Sequence, residues 1–166
     1  MNDFTDAVDR EAAWFKADQS AQGIPHLIAS ARPAGPFDIV QADLGRPSAR
    51  GRTLYLWLEN VEERRYALAR KLQIYSFVAS CLWQRTKAAG QTQADQQGLA
   101  AAVAKVVQRV RGPIGDKTHG GRFTAAGEIE TGRIVVRFDD PLRAFQTADI
   151  WRADVRWQAV DDLPNV

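Results

Sequence analysis

Apolar positions recur at two periods along the chain, and the changes from one period to the other mark out its elements. Phe4, Val8, Ala12 and Phe15 fall on a helical stripe with Asp6, Asp9 and Asp18 mostly off it, so the first 23 residues predict an amphipathic helix. Asn2, Asp3 and Thr5 offer caps, carboxylates crowd the first turns where the helix dipole favours them, and Gly23 before Ile24 and Pro25 supplies a stop. Two short apolar runs, His26–Ala31 and Phe37–Ala42, read as strands joined by a turn or extended link at Arg32–Pro36. Thr53–Glu59 then alternates, Leu54, Leu56 and Leu58 on one face and Tyr55 and Trp57 on the other. Leu72–Trp83 sets Leu72, Ile74, Val78 and Leu82 against Tyr75, Phe77, Cys81 and Trp83. Together these predict a long hairpin, whose joint at Asn60–Lys71 fits either a charged tip or a short helix.

Residues 92–111 return to helical spacing through Leu99, Val103, Val106 and Val110, with Thr92 or Asp95 as cap and Gly112-Pro113 as terminator. Period two resumes over Gly132–Phe138 and, after a turn at Asp139-Asp140-Pro141, over Ile150–Val160. In that last strand Trp151, Ala153, Val155, Trp157 and Ala159 face one way, and Arg152, Asp154, Arg156 and Gln158 the other. The order predicts an α+β fold: a mostly antiparallel sheet, two main helices packed on one face, and a long central hairpin. At 166 residues one domain over 1–166 is expected.

Strands that are apolar on both faces need a second cover, and a domain of this size has one main core. Trp14, Trp57, Trp83, Trp151 and Trp157 fit core and subunit-interface positions equally well. Cys81 is the only cysteine, which excludes an intrachain disulfide and a CxxC pair, and it reads as a small buried hydrophobe. His26 lies at a strand start and His119 beside Gly120-Gly121 reads as a solvated loop residue, neither in a metal-binding spacing. Phosphate-cradling loops and the nucleophile elbow have no counterpart, so an enzyme is not expected, nor a metal or cofactor. With no long apolar run and an acidic start unlike a leader, a soluble, unexported chain is expected.

The formal net charge is only +2, but it is unevenly spread. Residues 46–137 hold 16 basic and 7 acidic side chains, whereas 1–18 hold 2 and 5, and 139–162 hold 3 and 6. Such a chain suits contacts in which one surface of a copy meets a different, oppositely charged surface of the next. Two glycine-rich loops, Gly45–Arg52 and Gly112–Arg122, carry Arg46, Arg50, Arg52, Lys117 and Arg122, and Tyr55, Trp57 and Tyr75 offer stacking surfaces. Gly112-Pro113-Ile114-Gly115 resembles the GxxG clamp of KH domains, except that a strand pattern follows where that clamp needs a second helix.

The order of elements resembles the tail terminator (tail completion) proteins of long-tailed bacteriophages. The shared features are an N-terminal amphipathic helix, short strands, a basic loop, a long hairpin, a central helix closed by Gly112-Pro113, and a last strand alternating tryptophan with arginine. The likeness runs over residues 3–160 and lies in the order and size of elements. It implies a structural protein without catalytic residues or cofactor, of which six copies form a ring. That ring caps the tail-tube protein, stops tube polymerisation and presents the surface that meets the head–tail connector protein. It implies assembly in the host cytoplasm, a place in the virion at the head–tail junction, DNA passing through the lumen without sequence readout, and no membrane. The candidate subunit or partner contacts are then Arg46, Arg50, Arg52, Tyr55, Trp57, Tyr75, Trp83, Lys117, Arg122, Arg152 and Arg156. The alternatives are another head–tail connector or head-completion protein and, in a different class, a small nucleic-acid-binding domain using the two basic loops.

Overall fold

A computed structural model of the chain describes residues 4–17, 28–30, 52–84, 92–127, 133–138 and 150–164. In chain order these form α1 (Phe4–Ala17), β1 (Ile28–Ser30), β2 (Arg52–Ala67), β3 (Arg70–Gln84), α2 (Thr92–Arg111), β4 (Ala125–Gly127), β5 (Val135–Phe138) and β6 (Ile150–Pro164). The sheet runs β1-β2-β3-β6, and both β4 and β5 lie along the far side of β6. β1 is parallel to β2 and every other pair is antiparallel, which with two helices gives the α+β fold that the patterning predicts. The expected strand at Phe37–Ala42, the link at Arg32–Pro36, the loop up to Gly51 and the turn at Asp139–Pro141 lie outside the described residues, as do His26 and Gly23.

The joint of the hairpin is strand almost throughout. β2 continues to Ala67 and β3 begins at Arg70, leaving a two-residue turn at Leu68-Ala69, so the short-helix alternative for Asn60–Lys71 is excluded. A bulge shifts the register between Leu58, opposite Phe77, and Asn60, opposite Ser76. The extra residue changes the parity of the strand, so Val61, opposite Tyr75, stands on the same side as Leu54, Leu56 and Leu58. The tip is held by surface ion pairs, among them Lys71 to Glu63 at 2.8 Å and Arg70 to Asp162 at 2.9 Å. β6 also outruns its predicted end at Val160, pairing Leu163 with Lys71 and Pro164 with Arg70.

Both helices pack on one side of the sheet, α1 against β1 and β2, and α2 against β3, β4 and β6. That side carries Leu54, Leu56, Leu58, Tyr75, Phe77, Cys81, Ala153, Val155 and Trp157, all buried. Trp157 is central, with Phe77 stacked at 5.9 Å and Phe15 tilted at 5.7 Å between ring centroids. Phe123 packs on Phe77 and Tyr75 from the loop after α2. α2 ends as its sequence predicts: Gly112 takes φ +71° and donates its N–H to the carbonyls of Gln108 and Arg109.

His119 corrects the expectation of a solvated loop residue, for it has no exposed surface. Its Nδ1 is 2.8 Å from Glu11 Oε2 and its Nε2 is 2.8 Å from the carbonyl of Val110. Trp157 donates its indole N–H to the other oxygen of Glu11 at 2.9 Å. Trp14 stacks on the imidazole at 4.9 Å, nearly parallel, and Arg109 lies 3.5 Å over the Trp14 ring. One buried polar cluster thus ties α1, the end of α2, the following loop and β6. Gly127 is required beside it: its φ is +80°, and a Cβ there would fall 2.6 Å from the Val110 oxygen that accepts from His119.

Removing one member of a buried pair leaves the other without its partner, so Glu11→Ala and His119→Ala should each lower unfolding free energy by about 3 kcal/mol or more. The double variant should cost clearly less than the two losses added together, because the second substitution removes a group already orphaned by the first. Chemical denaturation of the four proteins checks both statements.

Candidate partner interface

The second side of the sheet has a different chemistry. It carries Tyr55 and Trp57 from β2, Ser76, Val78 and Ser80 from β3, and Arg152, Asp154, Arg156 and Gln158 from β6, of which Val78, Ser80 and Asp154 are buried. Neither described helix packs there. The register sets Trp57, Val78 and Arg156 side by side across the three central strands. The indole of Trp57 reaches diagonally to donate to Ser80 Oγ at 2.9 Å, and Ser80 donates in turn to Asp154 at 2.8 Å. Arg152 grips the same carboxylate through two nitrogens, at 2.9 and 3.1 Å. Arg156 lies 3.5 Å from it and 3.4 Å from Glu59 on β2, so its side chain spans β3.

These contacts fix the shape of the face. Asp154 is buried and its two arginine partners are only partly so, which makes the bidentate Arg152 pair stronger than an isolated surface pair. The result is a half-buried aromatic surface (Tyr55, Trp57) beside a charged strip, the composition in which protein interfaces are enriched. Burial raises the Tyr55 phenol above its ordinary pKa, so it remains a neutral hydrogen-bonding group on this face.

The candidate contacts divide. Tyr55, Trp57, Arg152 and Arg156 come together on this open face. Tyr75 is instead fully buried on the helix-covered side, packed against Phe77 and Phe123, with Arg10 over its ring, so it offers no surface to a partner. Trp83 is also on the helix side, beside Trp151, and packs against the core. Its ring lies against α2 at Gly98, where a Cβ would come within 2.5 Å of it. Arg52 opens β2 opposite Trp83, and Arg46 and Arg50 lie outside the described residues. Sequence periodicity placed both faces of β3 correctly but could not say which one the helices cover. Glu59, Ser80 and Asp154 were not among the candidates; their signal is only the cross-strand register, which one strand's pattern does not contain.

The basic loop 112–124 is closed on itself. Asp116 accepts from the backbone N–H of Thr118 at 2.8 Å, the Thr118 hydroxyl at 3.0 Å and the N–H of Gly120 at 2.7 Å. Backbone donors of a glycine-rich loop are the groups that cradle phosphate, and here the chain's own carboxylate takes them. Arg122 is turned inward, donating to the His119 carbonyl at 3.1 Å near the Trp14 ring, whereas Lys117 is exposed. Among the described residues no group of three or more His, Cys, Asp or Glu side chains could hold a metal ion, and no helix is long and apolar enough to cross a membrane.

Comparison with models of known protein families, and with curated protein sequences, finds none that matches this chain.

The loop's own anion gives a pH-dependent prediction. Hydrogen bonds, first that from the Thr118 N–H, hold the Asp116 carboxyl below its ordinary pKa. A carboxyl depressed in the folded state adds stability above its unfolded pKa and loses it as pH falls through the folded one. Asp116→Ala should therefore lower stability by about 1 kcal/mol at neutral pH, discounted for solvent contact. The gap to wild type should begin to narrow below about pH 4 and close only as pH falls on through the lower folded pKa, where the carboxyl loses its charge. Thermal melts from pH 7 to pH 2.5 (about one unit apart) check this.

Proposed function

We propose that this chain is a ring-forming structural protein of a bacteriophage neck: a tail terminator that caps the tail tube, stops its polymerisation and offers the surface to which the head attaches. The observation that carries the reading is the two-sided sheet, helices on one side and, on the other, Tyr55 and Trp57 beside the strip of Asp154, Arg152, Arg156 and Glu59. A surface of this kind suits burial against another protein. Ring closure needs two different patches on each copy, and the uneven spread of charge along the chain is compatible with contacts between patches of opposite sign. Tail-tube protein and the head–tail connector would meet the two ends of the ring, with DNA crossing its lumen through non-specific contacts. The same surface would serve another ring-forming connector of the neck. In the 112–124 loop Asp116 accepts from the N–H groups of Thr118 and Gly120, so those two donors are already engaged and do not favour the nucleic-acid reading.

Native mass spectrometry of the purified chain should show six copies of the 18.4 kDa protein, a species of about 110 kDa. Trp57→Ala and Arg156→Glu, both on the open face, should shift it toward single copies while leaving the far-ultraviolet circular dichroism unchanged. Single copies under every condition, together with DNA binding whose affinity falls steeply with salt, would overturn the ring reading in favour of a nucleic-acid-binding domain.

A further inference from the structure

The two ends of the sheet are unlike, and they match each other. At one end β5 pairs with β6 through Val135–Phe138, and its outer row of backbone groups has no partner among the described residues. Val136 and Phe138 are 37% and 54% exposed there. They stand on the helix side, as do their register partners Val155 and Ala153, while Arg137, opposite Asp154, stands on the open side. At the other end β1 covers β2 only at Leu54–Leu56. Beyond it, over Trp57–Glu63, no described strand pairs with the outer side of β2. On that stretch Val61 is a half-buried apolar residue on the helix side, and Glu62, on the open side, is exposed.

We propose that β5 of one copy adds to the outer side of β2 in the next, with Arg137 opposite Glu62 and Phe138 opposite Val61, so that the sheets of neighbouring copies run on as one. The proposal rests on the ring reading and adds to it an edge-to-edge contact, distinct from burial of the Trp57–Arg156 face. Directions agree: β2 and β6 run the same way and β5 runs opposite, so β5 meets the next β2 antiparallel when the helices of both copies lie on one side. Faces agree as well, since directly opposed residues of an antiparallel pair share a face. This register places the exposed Phe138 against the one partly covered valine of the β2 margin and sets the Arg137 cation against a carboxylate. Glu62 already accepts from Arg64 of its own copy at 2.6 Å, but an exposed pair of this kind is weak, so exchanging one cation for another costs little. An unpaired strand with exposed apolar side chains is the usual template for adding a strand from another chain. The occupant is a second copy because both complementary margins belong to this sequence and their parities agree.

Covalent trapping tests the register. Glu62→Cys and Arg137→Cys are combined in one chain and oxidised mildly; Cys81 does not interfere, because burial pushes its thiol up to about 12. A ladder of cross-linked species up to the hexamer with the double variant, and none with either single variant, is expected. Arg137→Glu should weaken self-association roughly fivefold, and Glu62→Arg with Arg137→Glu should restore it. A cross-linked dimer from Arg137→Cys alone would overturn the proposal by showing β5 paired with itself. A ring of unchanged mass that gives no ladder and ignores Arg137→Glu would overturn this contact and leave the ring standing. Single copies at every protein concentration would overturn both.

Discussion

A carboxylate and an imidazole without any exposed surface hold this fold in register. The Val110 carbonyl can only accept, so His119 Nε2 must donate to it, and Nδ1 must then share a single proton with Glu11. Trp157 satisfies the second oxygen of Glu11, and the cluster is complete without water. Each member comes from a different element, so the position of α1 over the sheet, the end of α2 and the path of the loop are set together. Apolar packing alone would tolerate small slides of α1 along the sheet; a closed set of buried hydrogen bonds does not, since any slide leaves a buried polar atom unpaired. The positive φ of His119, at 49°, is a cost of about 1–2 kcal/mol that the cluster offsets.

With the helix side fixed in this way, the other side, over which neither described helix packs, is stiffened by its own side chains. Arg156 reaching across β3 to Glu59, and Arg152 locked on Asp154, restrain side chains that would otherwise move freely on a bare sheet. A partner that binds such a surface loses less side-chain freedom than one meeting loose arginines, so more of the contact energy appears as affinity. The two sides thus divide the work: one supplies stability, the other a surface shaped in advance.

Most of the fold was legible in the sequence because its elements are long. The sequence of α2 offers candidate caps, a four-residue stripe and a Gly-Pro stop, and its observed ends are those of the pattern. The Trp-Arg alternation of β6 set both of its faces correctly. Where reading by period failed, the cause was physical. The bulge at Leu58–Asn60 adds one residue and reverses parity, so Asn60–Lys71 fitted no simple strand. His119 is set in a glycine-rich polar loop, and its burial depends on Glu11, 108 residues away. Tyr75 and Trp57 look alike in an alternating strand, and only the placing of the helices separates a core tyrosine from a half-buried tryptophan on the other side.

The same distinction holds for the side of the sheet away from the helices. Sequence alternation marked Tyr55, Trp57, Arg152 and Arg156 as facing away from their apolar neighbours, but the face becomes a unit only through Ser80 and Asp154 on the strands between and beside them. Asp154 in particular reads along the chain as one more surface acid, as does Asp116. In the fold both are already engaged: buried Asp154 organises two arginines and a serine, and partly exposed Asp116 takes two N–H groups of its own loop. A surplus of cations in a sequence therefore measures little until the carboxylates that already hold them are known. Here they occupy two N–H donors of the 112–124 loop and, on β6, hold Arg152 and Arg156 in one network of fixed geometry.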